Sequence, residues 1–226
     1  MKTVGILGGM GPEATILLMQ KVLAAVPARD DADHVPLLVH QNPQVPSRIK
    51  ALIEGGGDDP GPTLAKMARD LQSAGARALA MPCNTAHHYA PAIRAATDLP
   101  FLDMLDLTAA HLARMGARRV GMLASPATRI AGVFGAPFAA RGLTPVFLGD
   151  DAALLAIIRA VKGGAPLAAL RPRLGAEAEA LLSQGADHLL IACTELSLMT
   201  DALPESVSTT DSLDCLTSAI VDFAQG

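Results

Sequence analysis

The stretch Gly75-Ala76-Arg77-Ala78-Leu79-Ala80-Met81-Pro82-Cys83-Asn84-Thr85 is written a second time as Gly185-Ala186-Asp187-His188-Leu189-Leu190-Ile191-Ala192-Cys193-Thr194-Glu195. In each copy a Gly-Ala pair closes a helical pattern, a short apolar run follows, and a cysteine opens a polar segment. The offset is 110 residues at the glycines (75 to 185) and again at the cysteines (83 to 193). Apolar runs this short, bounded by turn signals, read as strands buried on both faces of a parallel sheet. Two thiols delivered by equivalent strand ends of a duplicated fold could face each other across one cleft. That arrangement suits a reaction needing an acid and a base on opposite faces of one carbon.

Working outward, Val4–Leu7, Leu37–Val39, Ala78–Met81, Val120–Leu123, Val146–Leu148 and Leu189–Ala192 read as strands. Helical patterns lie between them at Glu13–Val26, Thr63–Ala74, Ala90–Thr97, Leu107–Met115, Ala152–Val161 and Leu167–Ser183. This alternation predicts an α/β fold with parallel sheets. A weaker echo links Val4-Gly5-Ile6-Leu7-Gly8 to Val120-Gly121-Met122-Leu123-Ala124. The expected architecture is two pseudo-symmetric α/β domains, residues 1–102 with 210–226 and residues 103–209, with the site between them. The return of the C-terminus rests on matching Leu203-Pro204 to Leu99-Pro100.

Composition narrows the function. Of 226 residues, 50% are apolar and 18% charged, enough to fill a core. A net charge of −4, with 3% aromatics and no Trp, offers nucleic acid neither a basic footprint nor a stacking platform. No apolar run approaches the ~18–20 residues of a membrane span. Three cysteines, an odd number, do not read as a disulfide framework, and the first residues enter a strand without a signal-peptide pattern. A cytoplasmic protein is expected.

Several residues could carry chemistry. Cys83 and Cys193 sit where open α/β sheets place ligands, and following helix N-terminal amides are expected to lower their thiol pKa. Cys215, in the helical pattern Leu213–Phe223, reads as an inert buried thiol. Gly8-Gly9-Met10-Gly11-Pro12 opens a helix after the first strand, and its amides could hold a carboxylate. It lacks the acidic residue of a dinucleotide site and the Lys-Ser/Thr of a P-loop. His87, four residues after Cys83, reads as a hydrogen-bonding support for it, and Asn84 and Thr85 as caps that also put donors at the cleft. No second Cys/His pair has metal spacing, so no metal is expected, and no pyridoxal-binding lysine motif is evident, so no cofactor is expected either. Arg48, in a proline-punctuated loop after the second strand, has the planar fork suited to a carboxylate. Lys162, at the end of Ala152–Val161, reads either as a ligand or as a cation on a helix C-terminus.

Together Gly5-Ile6-Leu7-Gly8-Gly9-Met10-Gly11-Pro12, Asn42-Pro43-Gln44-Val45-Pro46-Ser47-Arg48, Met81-Pro82-Cys83-Asn84-Thr85-Ala86-His87 and Ala192-Cys193-Thr194-Glu195 resemble the aspartate/glutamate racemase family, the cofactor-independent amino-acid racemases. The resemblance covers essentially the whole chain and leans to the aspartate-racemase branch. It implies interconversion of L- and D-aspartate, or glutamate, in a homodimer, with an acidic amino acid as the small-molecule partner. Carried over, Cys83 and Cys193 are the proton-transfer residues, Met10, Asn84, Thr85 and Thr194 line the substrate, and Arg48 and Lys162 hold its carboxylates. A hydantoin racemase, an arylmalonate-decarboxylase-like enzyme and a non-catalytic dicarboxylate-binding protein are the alternatives.

Overall fold

A computed structural model describes residues 1–226. The first half builds a parallel sheet from β1 (Val4–Gly8), β2 (Leu37–Gln41), β3 (Ala78–Ala80) and β4 (Phe101–Leu102), in the order β2-β1-β3-β4. The second repeats it with β5 (Arg119–Ala124), β6 (Thr144–Val146), β7 (His188–Ala192) and β8 (Thr209–Asp211), in the order β6-β5-β7-β8. The helices are α1 (Pro12–Ala24), α2 (Gly61–Ser73), α3 (Ala90–Ala96), α4 (Met104–Arg114), α5 (Pro126–Ile130), α6 (Gly135–Ala139), α7 (Ala152–Lys162), α8 (Leu167–Ser183) and α9 (Ser212–Gln225). No helix is long and apolar enough to cross a membrane.

The duplication reaches individual atoms. A Cβ on Gly5 would lie 2.9 Å from Ala76 Cβ, 3.0 Å from Leu79 Cδ2 and 3.2 Å from Leu71 Cβ. At Gly121 the corresponding neighbours are Leu189 Cδ2 at 2.9 Å, Ala186 Cβ at 3.1 Å and Leu181 Cβ at 3.2 Å. Each of those second-half residues stands 110 positions after its counterpart. The Gly-Ala pair therefore recurs for a packing reason: a small residue must follow each helix where it crosses the glycine of the central strand.

Four expectations need correction. β6 ends at Val146 rather than running to Leu148, because this edge strand turns Leu148 into the core after its last sheet residue. β2 is an edge strand and only half-buried, so it is not covered on both faces. α4 begins at Met104, three residues early, because the Asp103 side chain caps it by accepting from Leu105 N and Asp106 N. The partner of Leu99-Pro100 is not Leu203-Pro204. Pro100 O and Ser208 O each accept from the strand beside them, Leu79 N at 2.8 Å and Leu189 N at 3.0 Å, so the true offset is 108.

That offset pairs Asp103 with Asp211, and both cap a helix. The two capped helices are exchanged between the halves. α4 follows the first sheet yet buries Leu105, Ala109 and Leu112 with Val120, Met122 and Leu190 of the second. α9 follows the second sheet yet buries Leu213, Leu216 and Ile220 with Val4, Ile6 and Leu18 of the first. Each half supplies part of the other's core, which ties the two sheets together.

Asp211 enters α9 at a cost. It is 5% exposed, its Oδ1 accepts from Leu213 N and Ser197 Oγ, and its Oδ2 has no hydrogen-bond partner. Burial pushes its pKa from 3.8 to about 6, against the pull of the Leu213 amide. A carboxyl whose folded pKa exceeds its unfolded value stabilises the native state when protonated. That stabilisation is complete below pH 4 and is lost between about pH 4 and 6, an upper limit of roughly 3 kcal/mol. Asp211→Asn keeps an acceptor for Leu213 N without the charge. It should raise the midpoint of thermal unfolding at pH 7.5 and leave it nearly unchanged at pH 4. An equal shift at both values would count against the buried charge as the cause.

Candidate active site in the cleft

The C-terminal ends of both sheets open into one cavity of about 400 Å³. Its lining contains Met10, Arg48, Cys83, Asn84, Thr85, Lys162, Cys193 and Thr194, so all eight residues picked from the sequence come together. Cys83 lies just beyond β3 and Cys193 directly beyond β7, each 8% exposed and reduced.

The segment after Cys83 turns at once into a short 3₁₀ helix, Thr85–Tyr89. His87 is buried in it and ties the cysteine down. The Met104 amide donates to its Nε2 (3.2 Å), so the ring proton sits on Nδ1 and donates to Cys83 O (2.8 Å). Burial holds the His87 pKa below its ordinary value, against the attraction of Asp103, so the ring stays neutral. It anchors the Cys83 backbone to the start of α4 and does not activate the sulfur.

Asn84 is 2% exposed. Its Nδ2 donates to Ser212 Oγ (2.9 Å), whose own proton goes to Ile191 O (2.9 Å). This chain fixes which way the amide points and leaves Asn84 Oδ1 buried with no partner. Thr85 Oγ1 pairs with Thr128 Oγ1 of α5 at 2.8 Å, and Thr194 Oγ1 reaches Pro82 O at 3.4 Å. All three side chains thus bridge the halves.

The glycine loop before α1 is pinned by Thr15, whose Oγ1 accepts from Gly9 N (2.9 Å) and donates to Gly11 O (3.3 Å). Gly9 has φ +92°, and a Cβ there would lie 2.4–2.6 Å from backbone atoms of Asn42. The loop therefore lies directly against the one that carries Arg48. The Arg48 guanidinium is set by its own loop, with Nη1 donating to Pro46 O (2.8 Å) and Val45 O (3.2 Å). Farther along the chain, Glu54 meets Arg159 of α7 at 3.0 Å, an exposed ion pair between the two halves.

One open reading closes here and one expectation changes. Lys162 is a cleft residue and not merely a helix-end cation, but its Nζ is bonded to the Glu195 carboxylate. Burial opposes its charge, yet Glu195 and the two thiols outweigh that and hold its pKa above the ordinary lysine value. The Cys193 thiol pKa, expected to fall, is instead raised well above the ordinary value, first by burial and then by the Glu195 carboxylate. Cys193 Sγ donates to Glu195 Oε2 at 3.0 Å. Glu195, 5% exposed, was missed as a site residue although it belongs to the duplicated stretch. The available signal is an acidic side chain two positions after a cysteine at the end of the apolar run Leu189–Ala192, where a lone charge needs a partner. No three His, Cys, Asp or Glu side chains converge as a metal-binding group.

A pair of matched α/β halves, each contributing one thiol to a shared cleft, defines the class. The chain belongs to the Asp/Glu/hydantoin racemase family, whose model matches residues 7–220. It is 25% identical over 230 residues to the broad specificity amino-acid racemase RacX of Bacillus subtilis, covering 96% of each chain. The aspartate racemase of Picrophilus torridus is similar in structure, with a TM-score of 0.86 and 28% identity over 100% of this chain and 95% of that one. An aspartate racemase homologue from Pyrococcus horikoshii shares the fold at a TM-score of 0.78 and 22% identity, with both chains fully covered.

Proposed function

We propose that this protein is a cofactor-independent amino-acid racemase acting on aspartate by proton transfer between Cys83 and Cys193. The observation that carries the reading is the convergence of two thiols, one from each half, in a single cavity beside an unpartnered buried acceptor, Asn84 Oδ1. That oxygen suits the ammonium group of an amino acid. The hydroxyls of Thr85 and Thr194 suit the α-carboxylate, where charge accumulates as the Cα proton leaves. One cysteine, as thiolate, takes the Cα proton. The other, as thiol, gives its proton to the opposite face. At the end the first sulfur holds a proton and the second is the thiolate, so the overall charge is unchanged.

Arg48 supports aspartate as substrate, because its preset guanidinium can receive a second carboxylate. Lys162 supports the same role once it shares its charge between Glu195 and the ligand. The kinship with a broad specificity racemase makes specificity the point to measure. Incubation of the protein with L-aspartate in deuterated water should give D-aspartate with deuterium at Cα, and L-alanine should react far more slowly. Equal rates for the two amino acids would remove the case for a side-chain carboxylate site. Neither exchange nor inversion with any amino acid would overturn the racemase reading.

A further inference from the structure

The two thiols are placed alike but not surrounded alike. Cys193 Sγ donates to Glu195 Oε2 at 3.0 Å, and Oε1 of the same carboxylate takes Lys162 Nζ. At the position equivalent to Glu195 the first half has Thr85, whose hydroxyl is joined to Thr128 instead. Cys83 therefore has no carboxylate from its own turn.

We propose that Glu195 is a positioning residue that favours the thiol form of Cys193 in the resting site, with Lys162 as its counter-ion. The resting enzyme is thereby poised for the hand whose Cα proton faces Cys83, and Cys193 becomes the base for the other hand only after giving up its own proton. The inference rests on the two-thiol reading above. A carboxylate accepts a hydrogen bond from S–H and has nothing to accept from S⁻. Loss of the thiol proton would leave two negative charges in contact in a buried site. The other charged or titratable groups around Cys193 do not cancel this. Lys162, from α7, favours the thiolate, but its ammonium is already held by Glu195. Cys83 across the cleft works in the same direction as Glu195, and burial adds to both. Glu13 and Arg48 line the same cavity from the first half. Without Lys162 the Glu195 carboxylate would itself be buried and unpaired, which is why the three residues form one unit.

The test reads Cys193 directly. Alkylation by iodoacetamide is followed against pH, with peptide mapping to separate Cys193 from Cys83 and Cys215, in the wild type, Glu195→Gln and Glu195→Asp. In the wild type the Cys193 midpoint should lie above that of a free cysteine. In Glu195→Gln it should fall by about one pH unit or more, a tenfold rise in thiolate at any pH below both midpoints. In Glu195→Asp it should stay nearer the wild type. The alkaline limb of the kcat/KM profile should move down with the midpoint in Glu195→Gln, whereas a merely structural role would lower the whole profile without moving the limb. An unmoved Cys193 midpoint in Glu195→Gln overturns the proposal, however much activity is lost. If that variant fails to fold, a wild-type midpoint at or below that of free cysteine does the same. Because alkylation needs no turnover, a shift in the midpoint without racemisation would sink the activity and leave the role of Glu195 standing.

Discussion

Cys83→Ala and Cys193→Ala should each lower racemisation of aspartate by roughly three orders of magnitude, the middle of the range for removing a positioned acid or base. Both side chains line the cavity, so losing one sulfur opens space toward the cleft and should leave unfolding little changed. The two-thiol reading makes a sharper claim than loss of activity. A variant with one cysteine left can still take a proton from one face of Cα and, once the S–H so formed has exchanged with deuterated solvent, return a deuteron to the same face. Exchange with retention should therefore persist for one enantiomer in each variant while inversion disappears. Cys215→Ala is the control: burial pushes that thiol up to about 11, and it lies in α9, outside the cleft lining. Chiral chromatography and proton NMR in deuterated water read inversion and exchange on the same sample. Near-normal inversion in either cleft variant would rule out the pair.

The second large effect lies in the loop that carries no chemistry of its own. Gly9→Ala places a Cβ 2.4–2.6 Å from Asn42 backbone atoms, and neither backbone can yield as a side-chain tip would. The positive φ of +92° adds strain for any residue with a Cβ. Together these should cost roughly 2–5 kcal/mol of stability. Gly55→Ala is the comparison, since Gly55 has φ +69° but nothing within 4 Å of its would-be Cβ. Its cost should stay near roughly 1 kcal/mol, the conformational penalty alone. The displaced loops carry Met10 and Arg48, so Gly9→Ala protein that does fold should also lose most aspartate turnover. Thermal melts of the two variants side by side decide the point, and equal losses would mean that the close approach to Asn42 is not what Gly9 provides.

The sequence stated the central strands, the cysteines and the halves because these rest on contiguous signals. Buried runs such as Leu189–Ala192 carry their own boundaries, and the Gly-Ala pairs are locked to Gly5 and Gly121 by packing. What it did not state is settled by distant partners. β4 has two residues and β8 reads Thr-Thr-Asp, too short and too polar for an apolar run; both exist because a neighbouring strand supplies their hydrogen bonds. The match of Leu203-Pro204 to Leu99-Pro100 followed identical letters, while the backbone pairing that fixes equivalence lies elsewhere, at Ser208. In sequence Glu195 is only part of the polar segment that Cys193 opens, because its importance comes from Lys162, 33 residues away. The high thiol pKa likewise depends on burial that no local pattern reports.

The inequality of the two turns, Cys83-Asn84-Thr85 facing Cys193-Thr194-Glu195, has a thermodynamic boundary. Mirror-image amino acids have the same free energy in water, so the equilibrium constant of racemisation is unity. The forward and reverse kcat/KM must then be equal, whatever the enzyme puts around either sulfur. An enzyme with Glu195 on one side only cannot enrich one enantiomer. Its lopsidedness can appear only in how each direction divides the same ratio between saturation and turnover: a lower KM for one hand is matched by a proportionally lower kcat. A near copy of one half, altered at a few positions beside the thiols, is therefore free to diverge in tightness of binding while the balance it serves stays fixed.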